Sequence, residues 1–304
     1  MNIMRRAIKA ATIATTAILA FTACATNPAG AADDIVLGSS AANPIRIGVV
    51  NAEEPYRTVF ADAAREDGIY IEFVNFSEFP LVNQALAEGD LDMNQFQHLQ
   101  FLAAFNVNTG ADLTPIGATA VYPLGLYSFR WNTPDEFPQG AEIAIPNDPT
   151  NQARALLVLQ DAGLLTLRDG GNSFSTPFDI IAEESRVSVI PVEAAMTAVS
   201  LQDVDGSIVN NSMIAQIGMG LSDAIFHDDP NSPAAEPYIN VFVARPEDAT
   251  NAKFVRLVEL FHTAPGVIEG LIESSAGTAA VRNNTAADLQ RILSEIEANL
   301  AANR

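Results

Sequence analysis

The residues best suited to bind a small molecule lie in the segment from Gly89, which reads GDLDMNQFQHLQFL. Phe96, His98 and Phe101 bring two phenyl rings and an imidazole to the point where a short apolar strand is predicted to meet a helix. Open α/β sheets bind their ligands at such strand-to-helix junctions. The same spacing fits two core phenylalanines and a buried, hydrogen-bonded histidine, and the segment taken alone favours that interpretation.

Arg154 is a second candidate for ligand binding. It falls in the opening turns of a helix that is predicted to begin near Pro149. A guanidinium binds a carboxylate through two parallel hydrogen bonds, so Arg154 is suited to hold an acid group of a ligand. The alternative is an exposed arginine on a helix surface, and the local sequence does not decide between the two.

Catalytic signatures are missing from the sequence. It has no Gly-x-Ser-x-Gly, His-Glu-x-x-His, Gly-x-x-x-x-Gly-Lys or Gly-x-Gly-x-x-Gly pattern. His98, His227 and His262 lack the spacing of metal ligands, and the acidic stretch 228–233 is predicted to be a solvated loop. We therefore expect a binding protein without cofactor or metal rather than an enzyme, although a catalytic set assembled from distant residues would escape these patterns.

The elements that must position these residues alternate along the chain. Strands are predicted at 45–50, 69–76, 93–96, 141–146, 187–191, 206–210 and 238–244, and helices at 54–67, 81–88, 99–105, 152–162, 194–200 and from 254 onward. Asp148 is suited to cap the helix that Pro149 begins, and Gly163 is suited to end it. This alternation predicts βαβ units and an α/β fold.

The N-terminal 24 residues have the pattern of a secretory signal. Three basic residues precede an apolar stretch that is short for a membrane-spanning helix. The segment ends Phe21-Thr22-Ala23-Cys24, and small residues before the chain's single cysteine resemble a bacterial lipoprotein cleavage site. Cys24 would then be lipidated and become the mature N-terminus, although Phe21 stands where such sites usually have leucine. The alternative is a conventional signal peptide cut nearby, with Cys24 discarded.

Composition limits the partners of the chain. The 304 residues include 37 acidic and 16 basic side chains, for a net charge of −21. Such a surface repels phosphate backbones, so we expect no nucleic-acid partner. Residues 25–43 are rich in Ala, Gly, Ser and Asn and are predicted to be a flexible tether between an anchor and the folded body.

Four segments together resemble the NlpA/MetQ family of methionine-binding lipoproteins of ABC importers. They are GDLDMNQFQH from Gly89, PLGLYS from Pro123, AIPNDPTNQARAL from Ala144 and EPYIN from Glu236. The third segment is long and unusual, and all four occur in order after a lipoprotein-like signal. The resemblance is close over 69–163 and 204–245 and is weakest at 168–186 and at the C-terminus.

The resemblance implies a two-lobed periplasmic-binding-protein fold, type II-like, that binds methionine in the cleft between its lobes. An aromatic box in the first lobe would hold the thioether, because sulfur against a ring edge gains up to about 1.5 kcal/mol per contact. Amide side chains would serve the zwitterionic end, since they donate and accept hydrogen bonds. The implied ligand-binding residues are Phe79, Phe96, His98 and Phe101 in the first lobe, Arg154 and Asn210 in the second, and Asn240 near a crossover strand.

The chain departs from the family at several of these positions. Phe79, Phe101 and Met213 stand where the family usually has tyrosines, Gln100 replaces a proline, and Ala153 replaces a glycine. A pocket with fewer hydroxyl groups favours a more apolar amino acid or weakens the selectivity for methionine. The resemblance therefore defines the class of ligand better than it defines the ligand.

The expected organisation has five parts. They are the signal at 1–24, the tether at 25–43, the first lobe at 44–130, the second lobe at 131–236, and a return to the first lobe at 237–304. We expect a monomer that its lipid holds on the extracytoplasmic face of the membrane. It would deliver L-methionine to an ABC permease, and its contact with the importer's ATPase would be indirect, through that permease. The alternatives are another apolar amino acid, D-methionine or a methionine-containing dipeptide on the same fold, an extracytoplasmic enzyme, and an adhesin-like surface lipoprotein.

Overall fold

The protein is described by a computed structural model covering residues 36–302, apart from the side chain of residue 216. The predicted signal segment with Cys24, and most of the predicted tether, lie outside the described residues. The strands are β1 (Ile45–Val50), β2 (Ile71–Phe76), β3 (Met93–His98), β4 (Thr114–Ala118), β5 (Ala120–Val121), β6 (Gly125–Tyr127), β7 (Ala141–Pro146), β8 (Val187–Val192), β9 (Gly206–Val209), β10 (Phe226–His227), β11 (Asn240–Ala244) and β12 (Ala280–Val281). The helices are α1 (Pro55–Glu66), α2 (Phe79–Glu88), α3 (Leu99–Thr109), α4 (Pro149–Asp161), α5 (Ala194–Ser200), α6 (Asn211–Ile214), α7 (Ala252–Thr263), α8 (Val267–Ser274) and α9 (Ala286–Ala302).

Two five-stranded sheets form the cores of the two lobes. The strand order is β2-β1-β3-β11-β4 in the first sheet and β10-β6-β9-β7-β8 in the second. In the first sheet β1 runs parallel to β2 and β3, whereas β11 is antiparallel to β3 and β4. In the second sheet β7 runs parallel to β8 and β9, and β6 is antiparallel to β9 and β10. The predicted α/β class is thus confirmed.

The chain passes between the sheets twice, once before β6 and once before β11. The predicted end of the first lobe at residue 130 is too late for this topology, because Gly125 of β6 already pairs with Val209 of the second sheet. A strand of three residues is too short to show a hydrophobic periodicity. The sheet to which it belongs is therefore known only from the strand with which it pairs. The strand β11 lies between β3 and β4, with Asn240 opposite His98.

Buried apolar side chains cover both faces of the first sheet. On one face α1 contributes Phe60 and α7 contributes Phe261, and the centres of the two rings lie 5.7 Å apart at an angle of 83°. On the other face the core extends from Val50 and Phe79 to Val209 and Met213 of the second lobe. The two lobes are therefore joined by apolar contact as well as by the two chain crossings.

Helix α4 begins as the sequence predicts. Asp148 is the N-cap, its carboxylate accepts a hydrogen bond from the backbone N–H of Asn151, and Pro149 is the first helical residue. Gly163, just after the helix, has a φ of 72°, which an L side chain rarely adopts. These local signals fix where α4 starts and stops, and so they fix where Arg154 stands on it.

The predicted tether ends earlier than residue 43. Leu37 packs against the core of the first lobe, and its carbonyl accepts a hydrogen bond from Lys253 Nζ at 2.6 Å. Gly38 accepts from the backbone N–H of Tyr70 at 3.0 Å, and its own N–H donates to Asn43 at 2.7 Å. The prediction of a flexible tether up to residue 43 was based on composition, and composition gives no information about hydrogen bonds to residues distant in sequence.

Within residues 36–302, none of the helices has the length and apolar character required to span a bilayer.

Candidate functional site

All seven residues predicted to bind ligand line one cleft. Its free space is about 440 Å³, including the part that opens to solvent. Phe79 comes from α2, Phe96 and His98 from β3, Phe101 from α3, and Asn240 from β11, all on the first lobe. Arg154 on α4 and Asn210 after β9 come from the second lobe. The remaining wall is formed by Gln97, Tyr122, Pro123, Leu124, Asn151, Asn211 and Ser212.

Three phenyl rings form one end of the cleft. The ring centres of Phe79, Phe96 and Phe101 lie 5.8 to 6.1 Å from one another, and Phe101 meets both of its partners edge to face. His98 adds a fourth ring, 6.2 Å from Phe101 and perpendicular to it. This end offers ring faces and edges, as an uncharged and polarisable side chain requires.

His98 is held at both ring nitrogens. Its Nδ1 accepts the backbone N–H of Phe101 at 3.1 Å, which caps α3, so the single proton of the neutral ring lies on Nε2. Nε2 donates across the cleft to Asn151 Oδ1 at 3.2 Å. Burial, and then the positive charge of Arg154, lower the pKa of His98 from 6.5 to about 3. His98 is thus both a wall of the cleft and the fully hydrogen-bonded histidine of the alternative interpretation.

We expect this histidine to make folding stability depend on pH. Its side chain takes up a proton near pH 6.5 in the unfolded chain but only near 3 in the folded protein, so its contribution is complete above 6.5 and is lost as the pH falls. Between about pH 7 and about pH 5 the wild type should lose roughly 2 kcal/mol more unfolding free energy than His98→Gln. Urea unfolding of both proteins at each pH measures the difference, because the carboxylates that also titrate are common to both. Parallel pH curves for the two proteins would contradict the expectation.

Arg154 lines the cleft but is already engaged. Its Nε donates to Asp228 Oδ2 at 2.7 Å, and its Nη2 donates to the carbonyl of Tyr122 at 2.9 Å. The guanidinium carbon lies 4.1 Å from the ring centre of Tyr238, which gives a cation–π contact. The edge that contains Nε is occupied, so a ligand carboxylate has access only to the Nη end of the fork.

The loop at 228–233 is therefore more than a solvated acidic segment, and the prediction made for it is wrong at Asp228. One oxygen of this carboxylate pairs with Arg154, and the other accepts the backbone N–H of Leu124 at 2.8 Å. Leu124 lies on the first crossing between the sheets, and Asp228 on the second. Asp228 therefore fixes Arg154 at the junction of both crossings, 74 residues away in sequence.

A chain of amides connects the polar side chains of the cleft. Asn151 Nδ2 lies 3.0 Å from both carboxylate oxygens of Asp148. Its Oδ1 accepts from His98 and, at 3.1 Å, from Asn210 Nδ2. Asn240 donates to the carbonyl of Tyr238 at 3.3 Å. Sequence reasoning named Asn210 and Asn240 but missed Asn151, whose signal was its place three residues after the N-cap Asp148.

A second, polar cavity of about 420 Å³ adjoins the cleft and shares five lining residues with it, Phe96, Tyr122, Asn211, Ser212 and Asn240. It contains the buried Arg57, which bonds Gln95 at 2.7 Å and pairs with Glu54 at 3.3 Å. Burial, partly opposed by the charge of Arg57, raises the pKa of Glu54. Phe96 is thus one of the residues that lie between the apolar box and this polar compartment.

Comparison with known proteins gives concordant matches. The sequence model of the NlpA lipoprotein family matches residues 45–282. The D-methionine-binding lipoprotein MetQ of Escherichia coli is 36% identical over 239 residues, which are 75% of this chain and 87% of that protein. The crystal structure of the methionine binding protein MetQ superposes with a TM-score of 0.74 at 32% identity, covering 79% of this chain and 98% of that one. A nutrient binding protein from Burkholderia cenocepacia, solved bound to methionine, gives 0.71 at 28% identity, covering 78% and 99%.

Proposed function

The chain belongs to the NlpA lipoprotein family, and we propose that it captures methionine in the cleft between its lobes for an ABC importer. It is a substrate-binding lipoprotein, like the methionine-binding relatives that match most of its length. The ring-lined end of the cleft takes the thioether side chain. Arg154, Asn210 and Asn240 take the carboxylate and ammonium groups. No chemical step is proposed, because the site holds and releases its ligand unchanged.

One observation carries the proposal: seven residues chosen from sequence line a single cleft that is aromatic at one end and polar at the other. The two ends match the two halves of a methionine molecule. Neutral amides and a charge-compensated arginine suit a zwitterion, which has no net charge, because no uncompensated charge is left buried. A ring-lined end disfavours a charged side chain, which would lose its hydration without gaining a partner.

Capture is coupled to closure of the lobes. The rings belong to the first lobe, and Arg154 and Asn210 belong to the second. A ligand that contacts both sets does so only when the lobes are together, and this differential contact shifts the population toward the closed form. A permease that binds the closed form would then receive loaded protein in preference to empty protein.

The membrane anchor is part of the proposal. The family is named for lipoproteins, and Cys24 follows small residues at the end of a signal-like segment. We propose that Cys24 carries lipid and holds the binding unit on the extracytoplasmic face, where the permease is reached by diffusion in the membrane plane. Several acyl chains give stable anchoring, whereas a single chain does not.

Titration calorimetry of the purified full chain tests the proposed ligand. We expect L-methionine to bind at least about 100-fold more tightly than glutamate, which carries a charge into the ring box. Norleucine, in which a methylene replaces the sulfur, should bind a few-fold more weakly than methionine, since each sulfur–ring contact contributes up to about 1.5 kcal/mol. D-methionine and glycyl-methionine in the same series decide between the alternatives on this fold.

Three outcomes would contradict the proposal. If no amino acid or dipeptide binds, and none raises the melting temperature, the adhesin-like lipoprotein becomes the better interpretation. If the bound molecule is recovered chemically changed, the chain is an enzyme. Equal affinity for methionine and glutamate would show that the rings do not select the side chain.

A further inference from the structure

Asn151 has every polar atom of its side chain engaged within the protein. It is 2% exposed, and its Nδ2 lies 3.0 Å from both oxygens of Asp148. A carboxylate only accepts hydrogen bonds, so Nδ2 must face Asp148 and Oδ1 must face away. Oδ1 then accepts from His98 Nε2 and Asn210 Nδ2, one for each lone pair. The oxygen of this amide therefore has no lone pair left for a ligand.

The orientation of Asn151 determines that of Asn210. Because Asn151 Oδ1 can only accept, Asn210 must turn its Nδ2 toward it and its Oδ1 the other way. Asn210 Oδ1 is buried and has no hydrogen-bond partner among the described residues. An unpaired buried acceptor costs about 1–3 kcal/mol unless a ligand supplies the missing donor. Asn210 lines the cleft, so a ligand that binds against it there is the candidate to supply that donor.

The proposed ligand has one group that donates hydrogen bonds, its ammonium. Arg154 does not bind that group, because both are positively charged and repel each other. An amide oxygen accepts from an ammonium, whereas an amide N–H directed at the ammonium would meet donor with donor. Which end of Asn210 faces the ligand therefore decides whether an amino acid is recognised as such.

We propose that Asn151 is a positioning residue that holds Asn210 with its oxygen toward the cleft and so makes the site selective for a free ammonium group. This inference rests on the proposed function and specifies which half of the zwitterion Asn210 recognises. Asp148 fixes these orientations. Its carboxylate caps α4, and by accepting from Asn151 it determines which end of the Asn151 amide faces Asn210. His98, on the other lobe, donates the second hydrogen bond to Asn151 Oδ1.

The test compares methionine with its deaminated analogue, in which hydrogen replaces the ammonium group, by calorimetry on the full chain. In Asn151→Ala the Asn210 amide can turn either way, so the preference for methionine over the analogue should fall about ten-fold. Gln152→Ala is the matched control, because Gln152 lies on the same helix, its side chain donates to the carbonyl of Pro146 and it does not line the cleft. Its preference should equal that of the wild type.

Asp148→Asn is a second variant, which keeps the inference testable if Asn151→Ala fails to fold. Asparagine remains a good N-cap, so α4 is kept, but its amide can pair with Asn151 in either orientation. The preference of this variant for methionine over the deaminated analogue should fall about three-fold. If Asn151→Ala and Asp148→Asn weaken methionine and the analogue by the same factor, Asn151 has only a structural role and the inference is wrong. A wild type that binds no methionine instead overturns the proposed function, and the inference with it.

Discussion

Arg154→Ala is expected to raise the Kd for methionine by roughly 150-fold, or about 3 kcal/mol, because the ligand carboxylate is left in a closed cleft without its charged partner. Arg154 is 4% exposed, so solvent replaces little of what the guanidinium supplied. The variant should also be less stable, since Asp228 loses the partner that lies 2.7 Å from it. Calorimetry gives the affinity, and thermal unfolding without ligand gives the stability.

Arg130→Ala provides the matched comparison for this prediction. Arg130 also pairs with an aspartate, Asp205 at 2.9 Å, but it is about half exposed and lies outside the cleft. Exposed pairs of this kind contribute at most about 1 kcal/mol to stability. We expect unchanged methionine affinity in this variant. If Arg154→Ala also keeps wild-type affinity, Arg154 belongs to the Asp228 junction alone, and the carboxylate is bound elsewhere.

Phe96→Ala should have the second largest effect. Its ring forms part of the box with Phe79 and Phe101 and is also part of the wall between the box and the polar cavity that contains Arg57. Removing it joins the two spaces and admits water to the thioether. We expect methionine affinity to fall by about 2 kcal/mol, roughly 30-fold, and unfolding free energy to fall by a similar amount.

Phe105→Ala separates the loss of ligand contact from the loss of packing. Phe105 is a half-buried phenylalanine on α3 that packs against the same core but does not line the cleft. It should lose comparable stability and keep its affinity for methionine. If both variants lose affinity to the same extent, the effect of Phe96 comes through the fold of the first lobe, and the assignment of the ring box is wrong.

Arg154, for which we propose a role in carboxylate binding, is held by protein groups before a ligand arrives. Its Nε edge is bonded to Asp228, one Nη2 hydrogen to Tyr122, and its face lies on Tyr238. The remaining Nη end is therefore held in one direction, which reduces the entropy lost on binding. The compensating charge of Asp228 also removes the penalty of an isolated buried cation. A site with this charge balance accepts a neutral zwitterion better than a net anion.

Much of the fold could be read from local signals in the sequence. Strand β1, strand β7 and helix α5 have the predicted bounds, and α4 begins after Asp148 as predicted. Apolar runs, N-caps and glycines act over a few residues, so the signals that set these bounds lie within single segments. The candidate residues Phe96, His98 and Phe101 also lie within one segment, and their clustering follows from the junction of β3 with α3.

Other features depended on contacts between distant segments and were decided only by the tertiary structure. The pair Arg154–Asp228, the bond from His98 to Asn151 and the bond from Asn151 to Asn210 span 74, 53 and 59 residues. The sheet to which the short strand β6 belongs, and the attachment of Leu37 to Lys253, are also of this kind. Sequence determined which side chains were present and on which elements. The packing of two sheets through two crossings determined which donors meet which acceptors, because hydrogen bonds of about 3 Å require positions that no local pattern specifies.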